Sequence, residues 1–304
     1  MTHTPESDFF AAPVEQTGID VGAGVVELPL RYWRADRFLA IFPADADRIR
    51  AILPSPKLHP LLLAPGRAAL AVTAFNFHET SLGRYGEIGI APLVTEFPFA
   101  PPMLPLLAER VMPWYGYIMH LPVTSRLGRD AGREIWNYPK FLADMDFDRL
   151  SDRQSVRLEE NGLHILTLTV AQHGLAMRDD NPTRTYTVQN GQLIKTTIRN
   201  RGIAQVNIGP GAGTLELGDH PIAEEIRALG TSRKPWITKN SLDFQVLLPS
   251  GEPAGPASID YDGYRGTDDD TARLTIRYSA AEERTLLHPA AQRVAMHNLI
   301  TNPA

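Results

Sequence analysis

Residues 154–173 read QSVRLEENGLHILTLTVAQH and carry the strongest local fold signal in the chain. Two runs of strand-type composition, 154–160 and 163–173, flank the pair Asn161 and Gly162. An Asn-Gly pair between two such runs favours a two-residue turn whose twist matches that of paired strands. The stretch therefore predicts an antiparallel β-hairpin.

The same strand-type pattern continues on both sides of this hairpin, and a second Asn-Gly pair occupies positions 190–191. Short runs rich in β-branched and aromatic residues, bounded by turn residues, indicate strands. Further strands are predicted at Val25–Trp33, Arg37–Phe42, Ala68–Phe77, Glu87–Phe99, Trp114–Val123, Lys140–Phe147, Tyr186–Val188, Gln192–Arg199, Ile203–Ile208, Lys239–Leu248, Ala257–Tyr261 and Ala272–Tyr278.

Predicted helices are few and short. They cover Ala44–Leu53, Arg126–Trp136 and His220–Leu229, the last with Asp219 as its N-cap, and a tail helix at Ala281–Ile300 is broken at Pro289. This proportion excludes an alternating βαβ layout. It favours a mainly β (α+β) fold: an antiparallel β-barrel or cone-like single domain with a few peripheral helices.

The chain shows no internal repeat and no long linker. We therefore expect a flexible N-terminal arm at residues 1–24 and one domain at residues 25–249. Residues 250–304 are predicted to be a C-terminal extension packed on that domain.

Composition and charge exclude several classes of function. The 304 residues include 30 basic and 35 acidic side chains, so the formal charge of −5 does not supply the basic field of a nucleic-acid-binding protein. The absence of cysteine rules out disulfides, thiol catalysis and thiolate metal sites. No apolar run approaches the length of about 18 residues that a membrane-spanning helix needs. The N-terminus, MTHTPESDFF, lacks the pattern of a secretory signal. We expect a cytoplasmic protein.

Three other motifs predict ordinary structure. The glycine-rich stretch 209–213 lacks the lysine of a phosphate-binding loop, and it predicts a turn. The acidic cluster at 260–270 lacks the closing glutamate of a calcium loop and indicates a solvated loop. The nine histidines, including His78 and His120, form no metal-binding motif, and polar or core roles are expected for them. No metal site is predicted.

Residues 132–143, GREIWNYPKFLA, do suggest chemistry. Pro139 restricts its own backbone, so Lys140 leaves the turn in a set direction. The apolar neighbours Tyr138, Phe141 and Leu142 are expected to exclude water, which disfavours a charged ammonium group. A neutral lysine amine can attack a ketone and form a Schiff base. The alternative from local composition is a surface lysine at the start of a strand.

Four stretches, in order, resemble the acetoacetate decarboxylase family: Arg37–Pro54, 78–87 (HETSLGRYGE), 116–140 with Gly-Arg-Glu-x-x-x-Tyr-Pro-Lys, and Gly209–His220. The resemblance spans about residues 25–249. It implies a barrel-like fold with a buried amine in an apolar pocket, and it implies a homo-oligomer. The proline-rich apolar stretch Phe97–Pro113 could form the contact between subunits or could pack within one subunit.

By this resemblance Lys140 matches the family's nucleophile and Glu87 matches its acidic partner. A carboxyl group beside the amine can move protons on and off the carbinolamine oxygen. The family also uses an arginine before its first strand. That position falls at Ala35, so either Arg34 or Arg37 is predicted to bind the substrate carboxylate.

Arg133, Tyr138 and Phe141 complete the predicted substrate-binding set. Arg133 could instead form a structural ion pair with Glu134. The sequence departs from the family at two positions: Phe141 replaces a second lysine, and Val72 stands where the family has another glutamate. Both changes are compatible with Schiff-base formation at Lys140. They remove two charged groups of the family's site, so the resemblance does not imply specificity for acetoacetate.

The leading hypothesis is a cofactor-independent lyase that decarboxylates a β-keto acid through Lys140, without a metal. A second hypothesis retains Lys140 for aldolase, dehydratase or cyclase chemistry on a larger 2-keto acid. A third is a non-catalytic barrel that binds an apolar ligand. All three imply a small-molecule ligand, with no nucleic acid and no membrane as partner.

Overall fold

A computed structural model describes residues 8–258, 263–267 and 276–278. Residues 8–10 form a single 3₁₀ turn. The strands are β1 (Gln16–Asp20), β2 (Val25–Leu28), β3 (Leu30–Asp45), β4 (His59–Pro60), β5 (Leu62–Ala64), β6 (Arg67–Thr80), β7 (Tyr85–Thr95), β8 (Trp114–Tyr117), β9 (Asp144–Arg149), β10 (Arg153–Glu160), β11 (Leu163–Ala171), β12 (Leu175–Arg178), β13 (Thr183–Gln189), β14 (Gln192–Ile208), β15 (Gly213–Leu217), β16 (Ile237–Leu248), β17 (Glu252–Pro256) and β18 (Ile276–Tyr278). The helices are α1 (Ala46–Ala51), α2 (Leu104–Leu107), α3 (Arg126–Trp136) and α4 (Pro221–Ala228).

Seven strands close into a barrel in the order β7-β8-β13-β14-β16-β3-β6, and β6 pairs with β7 to complete the ring. The pairings around the ring are antiparallel except for β8 with β13, which is parallel. Closure removes free strand edges from the barrel. The predicted mainly β barrel with a few helices is confirmed.

The predicted hairpin is β10 and β11, and it belongs to a second sheet with the order β15-β11-β10-β9-β18. Asn161 and Gly162 both have positive φ, at 50° and 79°, as the tight turn requires. One core joins the hairpin to the barrel: Val156 and Leu168 from the hairpin belong to the same buried cluster as Phe38.

Helix α3 has the predicted bounds because strong signals mark both of its ends. The Ser125 hydroxyl accepts a hydrogen bond from the Gly128 backbone N–H at 3.1 Å, which caps the start. Asn137 ends the helix in the left-handed conformation, with φ of 49°. The chain then turns towards Lys140.

Several element bounds differ from the predictions. β3 and β14 are each one long strand where two were predicted, because register shifts near Arg34 and after Arg201 absorb the irregular residues. β9 begins at Asp144, so Lys140 precedes the strand. The N-cap of α4 is His220, whose ring nitrogen accepts from the Ile222 N–H at 3.2 Å. β17 lies just before the strand predicted at Ala257–Tyr261.

Residues 8–24 differ from the predicted flexible arm. Phe9 and Phe10 are buried in a small cluster with Leu247, and β1 pairs with β2. Burial of two aromatic rings supplies the free energy that orders this segment.

The tail helix predicted at 281–300 and the acidic residues at 260, 262 and 268–270 lie outside the described residues. Within the stretch 209–213, residues 209–212 form the predicted turn between β14 and β15, and Gly213 begins β15. None of the helices described is both long and apolar enough to cross a membrane.

Candidate active site

Backbone hydrogen bonds hold the segment that carries Lys140. The Lys140 N–H donates to the Tyr138 carbonyl at 2.7 Å, and the Leu121 N–H donates to the Pro139 carbonyl at 3.1 Å. The Val123 N–H donates to the Phe141 carbonyl at 2.9 Å. The backbone on both sides of the lysine is therefore fixed to the neighbouring residues 121–123.

The amine of Lys140 forms a buried ion pair with Glu87 on β7. The distance from Nζ to Glu87 Oε2 is 2.8 Å, and the two side chains are only 6% and 12% exposed. Glu87 also forms a β-bridge to Val123, which ties β7 to the segment that holds Lys140. The structure thus brings together the two residues predicted to be catalytic.

Gly132, on α3, makes room for the lysine side chain. A Cβ atom at this position would lie 2.5 Å from both Cδ and Cε of Lys140. The glycine of the Gly-Arg-Glu motif is therefore a steric requirement, and any larger residue would push the lysine from its path.

Lys140 and Glu87 face a cavity of about 170 Å³ inside the barrel. Its lining is mostly apolar: Phe75, the cross-strand partner of Glu87, and Leu121, which hydrogen-bonds to Pro139, lie near the ion pair, whereas Ala71 and Ala91 line the cavity further along β6 and β7. An ion pair in such surroundings is poorly screened by water, so the electrostatic effect of each charge is large.

Three tyrosines surround this end of the cavity. The Lys140 Nζ lies 5.9 Å from the ring centroid of Tyr85 and 6.0 Å from that of Tyr138. The hydroxyls of Tyr32 and Tyr85 are 3.0 Å apart. Burial raises the pKa of Tyr138 to about 12, and burial with the nearby Glu87 also raises the pKa of Tyr32. All three therefore act as neutral phenols at physiological pH.

Another part of the cavity wall carries charged side chains. Arg37 is buried, pairs with Asp179, and stacks with its guanidinium carbon 3.9 Å from the Phe244 ring centroid. Burial lowers the pKa of Arg37 to about 9. Lys239 lines the same wall. Nearby, Arg184 Nη1 lies 3.0 Å from Glu109 Oε1.

Of the predicted substrate-binding residues, Arg37 and Tyr138 line the cavity, whereas Arg34, Arg133 and Phe141 do not. Side chains alternate along an extended segment, so Phe141 points away from Lys140 and into the main core. The register shift at Arg34 puts Arg37 in phase with the cavity and leaves Arg34 outside it. Arg133 lies behind the lysine, where its Nε donates to the Lys140 carbonyl at 2.7 Å.

Sequence reasoning missed Lys239, Asp179 and Glu109 as cavity residues. The one available signal was Lys239 in the predicted strand Lys239–Leu248, because a lysine in a strand must face either solvent or a polar interior. Asp179 and Glu109 lie in a loop and in a proline-rich stretch, where no periodic pattern indicates direction.

Two of the described histidines, His78 and His120, lie beside carboxylates. His78 Nε2 lies 3.1 Å from Asp36 Oδ2, and His120 Nε2 lies 2.7 Å from Glu225 Oε2. Within residues 8–258 and 263–267, no three His, Asp or Glu side chains form a group that could hold a metal ion.

Comparison with solved structures shows the same fold in acetoacetate decarboxylases and related enzymes. The acetoacetate decarboxylase from Legionella pneumophila superposes with a TM-score of 0.57 at 21% identity, covering 75% of this chain and 88% of that one. An acetoacetate decarboxylase-like enzyme from Sphingomonas wittichii gives a TM-score of 0.54 at 15% identity, covering 81% and 99%.

A third similar structure is MppR, an enduracididine biosynthesis enzyme solved with pyruvate. It gives a TM-score of 0.53 at 15% identity, covering 74% of this chain and 90% of that one. MppR has also been solved with the condensation product of pyruvate and imidazole 4-carboxaldehyde.

No curated protein gives a significant sequence match. A family model described as acetoacetate decarboxylase, however, matches residues 13–235, which include every barrel strand except β16, the Gly-Arg-Glu motif and both members of the buried ion pair. The chain therefore belongs to the acetoacetate decarboxylase family.

Proposed function

We propose that this protein is a Schiff-base lyase that decarboxylates a β-keto acid through Lys140. The observation that carries the proposal is the contact of 2.8 Å between Lys140 Nζ and Glu87 Oε2 inside an apolar cavity. A buried lysine beside a carboxyl group can both attack a ketone and exchange the protons that imine formation requires.

In the proposed mechanism, Glu87 takes a proton from the Lys140 ammonium group, and the free amine attacks the substrate ketone. A proton moves from the attacking nitrogen to the oxygen to give the carbinolamine. Glu87 then returns its proton to the carbinolamine hydroxyl, which leaves as water and gives an iminium ion. The carbon–carbon bond to the carboxylate breaks and carbon dioxide leaves. The electron pair of the broken bond moves towards the iminium nitrogen and gives an enamine. Protonation of the enamine carbon and hydrolysis release the ketone and restore the amine.

The wall near Lys140 supports decarboxylation in particular. A carboxylate placed beside Phe75 and Leu121 has little to stabilise its charge, whereas neutral carbon dioxide does not need such stabilisation. The environment thus favours the transition state, in which the carboxylate charge moves towards the iminium nitrogen.

A second candidate function is condensation of a 2-keto acid with an aldehyde at the same lysine. The likeness to MppR, solved with pyruvate and with a condensation product of pyruvate, favours this candidate. Phe141, in place of the family's second lysine, is compatible with it. Loss of a proton from the carbon next to the iminium carbon would then give the enamine, which would attack the carbonyl carbon of the aldehyde.

Carbon dioxide release from acetoacetate and from β-ketohexanoate tests the proposal. We expect turnover by the wild type, loss of at least about 1000-fold in Lys140→Met because the nucleophile is removed, and no change in the surface control Lys234→Met. Wild-type protein that releases no carbon dioxide but condenses pyruvate with an aldehyde would favour the second candidate. Tight binding of keto acids with neither reaction, unchanged in Lys140→Met, would instead support a non-catalytic barrel.

A further inference from the structure

The charged wall of the cavity holds two cations around one carboxylate. Asp179 pairs with Arg37, and its Oδ2 also accepts a hydrogen bond from the Ser241 hydroxyl at 3.0 Å. Lys239 Nζ lies 3.7 Å from Asp179 Oδ1, which is beyond hydrogen-bond distance. Asp179 contacts Arg37 directly and Lys239 only at longer range. Its single negative charge therefore compensates the charge of Lys239 only in part.

The remaining charges of the cavity do not alter this excess. Among the described residues that line it, Lys140 pairs with Glu87 and Arg184 pairs with Glu109. Lys239 is thus the cation in excess. Its side chain is 34% exposed, and it lines the cavity.

Burial and the neighbouring Arg37 lower the pKa of Lys239 to about 8, although the charge of Glu109 opposes this shift. Repulsion between two cations is relieved when an anion binds between or beside them. In addition, the buried Nε of Arg37 has no hydrogen-bond partner within the described part of the chain. Both features favour an anionic group of a ligand at this wall.

The strand register separates this wall from the reactive lysine. Arg37 on β3 pairs with Phe75 on β6, and Phe75 pairs with Glu87 on β7. Lys239 lies one strand further, on β16, opposite Leu39. Neighbouring strands are about 4.8 Å apart, so the backbone of Arg37 is about 10 Å from that of Glu87 around the barrel, and that of Lys239 is further away. The apolar residue Phe75, on the intervening strand β6, lies between Arg37 and Glu87.

We infer that the substrate is a keto acid with a second, remote carboxylate, and that Lys239, beside Arg37, binds this remote group while Lys140 attacks the ketone. The inference rests on the proposed function for the identity of the reacting group. It gives the substrate class as β-keto dicarboxylic acids, with an apolar spacer between the ketone and the distal carboxylate.

The carboxylate that is lost is a poor candidate for the Lys239 wall. A cation bound to it would stabilise the ground state more than the transition state, in which that charge is leaving, and would slow decarboxylation. A carboxylate that remains in the product keeps its charge in the transition state, so binding it does not slow decarboxylation. Its binding also holds the ketone in place beside Lys140.

Two substrates of equal length test the inference. β-Ketoadipate and β-ketohexanoate differ only in the terminal group, which is a carboxylate in the first and a methyl in the second. We expect the wild type to have the higher kcat/KM for β-ketoadipate, and Lys239→Met to reduce this preference about 30-fold, because a charge-assisted hydrogen bond is lost. Lys239→Arg retains the charge and should keep most of the preference, and the surface control Lys234→Met should keep all of it.

Calorimetric binding of adipate and hexanoate, which have no ketone, separates the inference from the proposed function. Binding of adipate that is weakened in Lys239→Met supports the subsite whether or not Lys140 is reactive. Equal binding of adipate and hexanoate by the wild type, or a preference for β-ketoadipate that survives Lys239→Met, would overturn it. If both keto acids are turned over at Lys140 with equal efficiency, the proposed function stands and the subsite does not.

Discussion

Gly132 and Lys140 act as one unit, since the aliphatic part of the lysine lies against the helix backbone at the glycine. We predict that Gly132→Ala lowers kcat about 100-fold, because the new Cβ, 2.5 Å from Cδ and Cε, displaces the amine from Glu87. The fold should persist, because alanine is favourable inside a helix. Steady-state kinetics and a thermal melt measure the two effects.

Gly162→Ala is the matched control for this variant. Gly162 has φ of 79° and nothing within 4 Å of its Cβ position. Alanine should therefore cost about 1 kcal/mol of stability through backbone strain and leave kcat unchanged. Equal loss of kcat in both variants would show that Gly132 has no special relation to the lysine.

The partly buried charge of Lys239 lowers the stability of the folded protein. Its pKa is lowered from 10.5 in the unfolded chain to about 8, so the folded state binds its proton less tightly. Below pH 8 both states are protonated and the full cost is present; between pH 8 and 10.5 only the unfolded state holds the proton, so stability rises with pH there.

We therefore predict that Lys239→Met is more stable than the wild type by about 1 kcal/mol at pH 7, a value reduced by the solvation of its exposed third. The difference should shrink as pH rises towards 10. Urea unfolding at pH 7 and pH 9.5 checks both statements. A variant less stable than the wild type at pH 7 would contradict them.

At the scale of elements, Arg133 connects the lysine segment to the C-terminal part of the chain. Its Nε donates to the Lys140 carbonyl at 2.7 Å, and its Nη2 donates to the Arg265 carbonyl at 2.6 Å. A guanidinium can make both bonds at once, whereas the single amine of lysine cannot reproduce this fork. Residues 263–267 thus help to hold the backbone at Lys140.

We expect Arg133→Lys to lower kcat about 10-fold with little change in KM, because it loosens the position of the nucleophile. The control is Arg227→Lys on α4, whose guanidinium likewise donates to two backbone carbonyls, those of Leu217 and Gly218, but away from the cavity. A rise in KM alone for Arg133→Lys would indicate direct contact with substrate, as the sequence predicted.

The elements that sequence reasoning predicted best have strong local signals: the hairpin turn at Asn161 and Gly162, and α3 between Ser125 and Asn137. The pairing of Lys140 with Glu87 was also predicted, but only through the resemblance to a family. The direction of side chains was predicted less well. Phe141 was placed beside the amine although alternation puts it on the opposite face.

The charged wall was not predicted, because it depends on the register of long strands with local irregularities. The shift near Arg34 decides which arginine faces the cavity, and no sequence pattern indicates it. Asp179 reaches Arg37 through the lateral strand order β12-β14-β16-β3, which brings together residues distant along the chain.

At the scale of the whole molecule, the stretch 97–113 presents a strongly exposed apolar surface. Phe99, Leu107 and Val111 are 93%, 77% and 74% exposed. Apolar side chains grouped in this way are typical of protein contacts. We retain the prediction that the protein is a homo-oligomer and that this stretch contributes to the contact.

Light scattering coupled to size-exclusion chromatography tests this prediction. We expect an oligomer for the wild type and smaller species for Phe99→Glu and Leu107→Glu, because a buried charge opposes association. Leu163→Glu, at the exposed hairpin turn, is the control and should not change the mass. A monomeric wild type would show that the apolar stretch serves another purpose.

The central claim for the molecule is that the barrel fold serves to hold one reactive amine beside one carboxylate. Borohydride reduction in the presence of acetoacetate or pyruvate tests it most directly, because it converts an imine into a stable secondary amine. Peptide mass mapping should locate the added mass at Lys140, with none in Lys140→Met and slower labelling in Glu87→Gln, where the proton carrier is removed. Labelling spread over Lys57, Lys195 and Lys234, with none at Lys140, would contradict the account.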